Sequence, residues 1–189
     1  MAKLSRDDIN SFFNFNINIP AKVLYMGDRE GTDHRMAENV LKGLSVLDSV
    51  NRNKKITIYM NNPGGDEYHG LAIFDAIASC RSKTLIRVFG HAMSMGAWIL
   101  QAADTRVMSK NSTLMLHYGT MTFDGHSKDM TRWALENDRL NALMEAHILE
   151  RIKEKHPRYK RETLQELIKF DTFLSATDAV ELGLADKVV

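Results

Sequence analysis

Apolar and polar residues alternate along most of this chain in two distinct periods, and the switches between them delimit the elements. Lys22–Met26 reads as a short strand, and Lys55–Met60 (Lys-Ile-Thr-Ile-Tyr-Met) and Thr84–Phe89 read as strands on their β-branched and aromatic content. Between them, Asp33–Val50 carries Met36, Val40, Leu41, Leu44 and Leu47 at helical spacing, and His69–Ser79 and Ser94–Ala103 read as further helices. Arg106–Met108 and Thr113–His117 follow as short strands. Strands alternating with helices predict crossover units and a mainly parallel sheet, an α/β fold. Past a polar stretch, Thr120–Lys128, the pattern becomes one long helix over Met130–Lys155, too long for a small domain to cover and so expected to project and bury its stripe against another subunit. Arg161–Phe170 and Ala176–Leu182 predict two short helices, Gly183 a C-cap, and Ala185–Val189 a last strand. Met1–Pro20 has no clear period and is expected to form an irregular or partner-packed arm.

Composition narrows the function classes. The 189 residues fit one domain, and 44% apolar content suffices for a substantial core. Charged residues make up 26% and nearly cancel, leaving a net charge of +1, which gives no case for nucleic acid or an acidic membrane as partner. The basic run Lys153–Arg161 reads as a solvated helix end. A single cysteine, Cys80, rules out an intrachain disulfide and is expected to be a buried, inert thiol. No segment approaches the ~20 apolar residues of a membrane span, and Met1–Asn10 does not resemble a secretory signal. The expected compartment is the cytoplasm or an equivalent reducing space.

Candidate chemistry centres on Gly90-His91-Ala92-Met93-Ser94-Met95-Gly96-Ala97, a serine among small residues at a strand-to-helix junction. Backbone N–H groups at such a junction can hold a developing oxyanion. On spacing alone, Ser94 could equally be a helix N-cap. Of seven histidines, His117 ends an apolar strand, where a rigid scaffold presents a side chain to a cleft. His69 and His126 are secondary candidates, His91 reads as a turn or surface residue, His147 as a packing residue, and His34 and His156 as solvated helix ends. A carboxylate must orient the imidazole, and Asp171 is placed for that, or for capping a helix. Asn61-Asn62-Pro63-Gly64-Gly65 permits an unusual backbone with N–H groups facing a ligand, or simply a turn. It is not a phosphate-binding loop, and no group of residues has metal-like spacing.

Taken together, four segments resemble the Clp protease proteolytic-subunit (ClpP) family: N-x-P-G-G after a strand, the Gly-rich surroundings of Ser94, an apolar strand ending in His117, and Asp171-Thr172-Phe173-Leu174-Ser175-Ala176 continuing to Asp186. The resemblance spans about residues 23–189 and implies a crotonase-like spiral of β-α units with a projecting handle helix at about 120–155. It divides the chain into an N-terminal arm, 1–20, and a peptidase domain, 21–189. It implies a serine endopeptidase acting on unfolded proteins, with Ser94 as nucleophile, His117 as base, Asp171 as its orienting carboxylate, and the Gly65 and Met95 N–H groups as oxyanion hole. It further implies heptameric rings stacked as a tetradecamer, an AAA+ unfoldase partner that uses the ATP, and hydrolysis needing no metal or cofactor. Alternatives are a non-catalytic or regulatory ring subunit and, sharing the spiral, a crotonase-type acyl-CoA enzyme.

The chain departs from the family pattern at three points. Met1–Pro20 is unlike the family's axial segment. Tyr118-Gly119-Thr120 stands after the histidine in place of Gln-Pro and a glycine-rich strand. Asp66 and Glu67 follow Gly65, where the family has small or apolar residues. Tyr118, Asp66 and Glu67 therefore belong to the expected substrate groove, and a carboxylate facing it would favour basic or polar side chains.

Overall fold

A computed structural model describes residues 5–27, 31–51 and 53–189. One mixed sheet runs through it. Its main path places β1 (Ile17–Asn18), β2 (Val23–Met26), β3 (Ile56–Asn62), β4 (Thr84–Met93), β5 (Thr105–Met108) and β8 (Lys187–Val188) side by side, while β6 (Thr113–Leu116) branches from β4 and carries β7 (Thr172–Ser175). Pairings from β2 through β5 to β8, and β4 with β6, are parallel; β1–β2 and β6–β7 are antiparallel. The parallel core follows from the helices that interrupt it: α2 (His34–Ser49), α3 (Glu67–Ala78) and α4 (Met95–Leu100) each return the chain to the same end of the sheet.

Strict alternation in β3 explains how the sheet is dressed. Ile56, Ile58, Met60 and Asn62 are buried, and Thr57, Tyr59 and Asn61 are only half covered. Each buried Ile or Met contributes about 1.5–3 kcal/mol of transfer free energy. On the half-covered face, Tyr59 meets Phe89 edge-on at 5.5 Å, and Arg87 lies over the Phe89 ring at 4.8 Å. Beyond β6 comes α5 (Ser127–Lys155), with 29 residues and so about 44 Å of helix. Its C-terminal half is anchored by buried Leu140, Met144, Ile148 and Ile152, whereas its N-terminal half exposes Met130, Trp133 (49%) and Leu135 (64%). The short helices α6 (Arg161–Leu167) and α7 (Ala176–Leu182) complete the fold.

Several boundaries differ from the sequence reading. The N-terminal arm is not irregular: Ser5 and Asp8 form a capping box that starts α1 (Arg6–Phe15), and β1 follows. Residues 1–4 of the arm lie outside the described part. The polar stretch before α5 is shorter than expected, because His126 caps that helix through its Nδ1, which accepts the Lys128 N–H. The final strand contracts to two residues. Gly183, with φ of 90°, does end α7. Cys80 is half buried, and burial, with Asp48 nearby, pushes its thiol up to about 11, so it stays a protonated, unreactive group.

Candidate active site

Strand register alone brings Ser94, His117 and Asp171 together. β6 and β7 pair so that Leu116 faces Thr172, and the next position outward sets His117 opposite Asp171, 54 residues away in sequence. β4 and β6 pair so that Met93 lies beside Met115, which delivers Ser94 to the same sheet end as His117. The resulting distances are 2.9 Å from His117 Nδ1 to Asp171 Oδ1 and 2.8 Å from His117 Nε2 to Ser94 Oγ. In the neutral imidazole this arrangement has Nδ1–H donating to the carboxylate and Nε2 accepting from the serine hydroxyl. His117 is mostly covered (20% exposed side chain), and Asp171 is open (59%).

Ser94 does not cap α4. It sits at φ 51°, ψ −121°, and its side chain makes no cap hydrogen bond. A non-glycine residue there costs of order 1–3 kcal/mol and persists only where its surroundings hold it. Three bonds do so: Ser94 N–H donates to the Met115 carbonyl (2.9 Å), and the Ser94 carbonyl accepts from Ala97 N–H (3.0 Å) and Trp98 N–H (3.2 Å). The helix it opens is buried throughout, so its position is fixed by the core. Asp171 likewise caps nothing: α7 is capped by Ser175 and Asp178.

The Gly64-Gly65 turn is more than a link. Gly64 has φ of 100° and Gly65 of 142°. A Cβ on Gly64 would fall 2.7 Å from Ser94 Cβ and 2.8 Å from the Met93 carbonyl oxygen; one on Gly65 would fall 2.4 Å from the Thr32 carbonyl oxygen. Only glycine allows this backbone against Ser94. Two residues brace the turn: Asn62, which belongs to that motif, and Thr32, which sequence reasoning missed. Asn62 Oδ1 accepts the Gly64 N–H at 2.7 Å, and buried Thr32 exchanges side-chain hydrogen bonds with Asn62 at 3.0 and 3.2 Å. Thr32 N–H also donates to the Gly64 carbonyl (2.6 Å), and its own carbonyl accepts from Asp66 N–H (2.8 Å). An Asn two residues before a glycine is a local turn signal, available from sequence; Thr32 offered none.

A cavity of about 400 Å³ opens beside Ser94, lined among others by Gly65, Glu67, Met95, Trp98, Met115, His117, Gly119 and Met144. Of the three residues expected in the substrate groove, Asp66 and Glu67 line this cavity and Tyr118 does not. The Asp66 carboxylate accepts the His69 N–H (2.9 Å) as the cap of α3. Glu67 is half buried, and desolvation, followed by the charges of Asp66 and Glu136, raises its carboxyl above the ordinary value. Tyr118 is a correction. Its hydroxyl donates to buried Glu145 Oε1 at 2.6 Å, and burial together with that bond pushes it up to about 12. Glu145 also takes Arg161 Nε (2.6 Å) and Gln165 Nε2 (3.0 Å), joining α5 to α6 behind His117. Two other histidines are used elsewhere: His147 stacks on Phe74 at 4.5 Å and accepts the Trp98 indole N–H at 2.9 Å, while the His156 ring lies 2.7 Å from the Glu181 carbonyl. Among the described residues no group of three or more His, Cys, Asp or Glu could hold a metal ion, and no helix is long and apolar enough to cross a membrane.

An α/β spiral carrying serine, histidine and carboxylate in one hydrogen-bonded row, beside a glycine turn, has the geometry of a serine hydrolase site. The family model "Clp protease" matches residues 22–189, and the ATP-dependent Clp protease proteolytic subunit of Deinococcus radiodurans is 32% identical over 170 residues, covering 89% of this chain and 80% of that one. The chain belongs to the Clp protease family, and it is a peptidase with that family's fold.

Proposed function

We propose that Ser94, His117 and Asp171 are the catalytic residues of a self-compartmentalising endopeptidase that hydrolyses unfolded polypeptide. The observation that carries this reading is the unbroken row of hydrogen bonds, 2.8 and 2.9 Å, through His117. Ser94 Oγ attacks the scissile carbonyl as His117 Nε2 takes its proton. Asp171 keeps the imidazole in the reactive tautomer and stabilises its cation. The N–H groups of Gly65 and Met95 receive the oxyanion, the first from a glycine turn aimed at Ser94 and the second from the first residue of α4, whose N–H has no partner within its helix. His117 then protonates the leaving amine, and water enters by the same route in reverse to release the acyl chain. Hydrolysis on this scheme uses no metal or nucleotide.

The same reading takes residues 21–189 as the peptidase unit, with residues 1–20 as an arm. It makes residues 120–155 the handle by which heptameric rings stack into a tetradecamer, and the exposed Trp133 and Leu135 on α5 support that role. An AAA+ unfoldase would supply substrate, consuming the ATP, in the cytoplasm. Treatment of the purified protein with a fluorophosphonate probe, followed by peptide mapping, tests the chemistry: label is expected on Ser94 alone, and Ser94→Ala should lose both labelling and peptide cleavage, by at least about 10³-fold, while assembling normally. Retained cleavage by Ser94→Ala refutes the assignment.

A further inference from the structure

The cavity beside Ser94 has two chemically different walls. Met95, Trp98, Met115 and Met144 form an apolar one. Glu67, the first residue of α3, supplies a carboxylate that reaches the backbone just past His117: a Cβ on Gly119 would fall 2.3 Å from Glu67 Oε1. No cationic side chain neutralises this group. No Lys or Arg lines the cavity, and no ion pair among the described residues includes Glu67. The neighbouring acids are already engaged, Asp66 in capping α3 and Glu136 with Arg139 and the Tyr68 hydroxyl. Lysine and arginine are the side chains built for such a site, since their methylene stems lie along apolar surface while the cationic head keeps a polar partner. A leucine there would leave a half-buried carboxylate stripped of water and unpaired.

We propose that Glu67 makes this peptidase select a lysine or arginine side chain on the amino side of the scissile bond. The proposal rests on Ser94 acting as nucleophile, and it assigns the selectivity to Glu67 rather than Asp66, because the Asp66 carboxylate is held by its own helix.

Two matched reagent sets test it on the intact protein: peptidyl diphenyl phosphonates and fluorogenic peptides, each carrying Lys, Arg, Leu or Met at the position in question. Phosphonylation of Ser94 reads the side-chain preference even where turnover is slow. The basic reagents are expected to react about 10–100 times faster than the apolar ones, the range of a charge-assisted hydrogen bond. Glu67→Gln should remove most of that ratio. Asp66→Asn, which preserves a good helix cap, should retain it. Equal or faster reaction of the Leu and Met reagents overturns the proposal, as does an unchanged ratio in Glu67→Gln or the same loss in Asp66→Asn. Failure of all reagents to label Ser94 overturns the catalytic reading itself, and this one with it, so the two failures are distinguishable.

Discussion

Two regions of this molecule treat their apolar residues in opposite ways. At the carboxyl ends of β3, β4 and β6, side chains such as Met60, Ala92 and Leu116 are buried, and the backbone is held in conformations that only close packing sustains. Along the first turns of α5, by contrast, Met130, Trp133 and Leu135 stand open. The first region has completed its contacts within one chain; the second has a face that water covers poorly. Rigidity is therefore concentrated around the Ser94–His117–Asp171 row, and unfinished packing where another molecule can finish it.

Five substitutions break or sharpen that contrast. Trp98→Ala has the largest expected effect. It empties a buried indole site and strips His147 of a 2.9 Å hydrogen bond, so unfolding in denaturant should show a loss of about 3–5 kcal/mol. Next is Gly64→Ala, whose Cβ would collide with Ser94 Cβ and the Met93 carbonyl. Displacing the glycine turn removes the proposed oxyanion donor, and steady-state peptide cleavage should fall by about 10²–10³-fold. Asp48→Asn comes third, at the opposite end of the sheet. Burial works against the Asp48 charge, but the N–H groups of Ser82 (2.7 Å) and Arg81 (3.2 Å), with the Arg81 guanidinium, outweigh it and hold the carboxyl far below its ordinary value. A depressed carboxylate stabilises the fold above its unfolded value near 4 and loses that contribution as pH falls through its folded value. Asp48→Asn should thus cost about 1 kcal/mol at neutral pH and flatten the acid limb of a stability–pH curve. The smallest effect on the chain's own stability belongs to Trp133→Ser and Leu135→Ser, each within about 0.5 kcal/mol, although sedimentation should show a smaller assembly.

Much of the rigid region is legible in the sequence. β3 alternates at period two and α2 at helical period, and both stand close to where those patterns put them. The candidate site was legible through the motif around Ser94 and the strand ending at His117, yet the reason Asp171 reaches His117 lies in an antiparallel register that no local pattern encodes. Tyr118 was assigned to the groove from its place in the family pattern, just past His117, but β6 ends at Leu116, and buried Glu145, unremarkable on a helix in sequence, captures the hydroxyl. The start of α1 was missed although Ser5 and Asp8 spell its cap, because the Asn and Phe residues after them blur the helical period.

The backbone at Ser94 also limits which chemistries this scaffold can trade among. At φ 51° the branched Cβ of threonine would be forced into a region such residues avoid. Cysteine, whose thiol hangs from an unbranched Cβ, fits the same turn with one atom exchanged. For the nucleophile proposed above, the fold leaves a thiol open at this position and closes off the secondary alcohol.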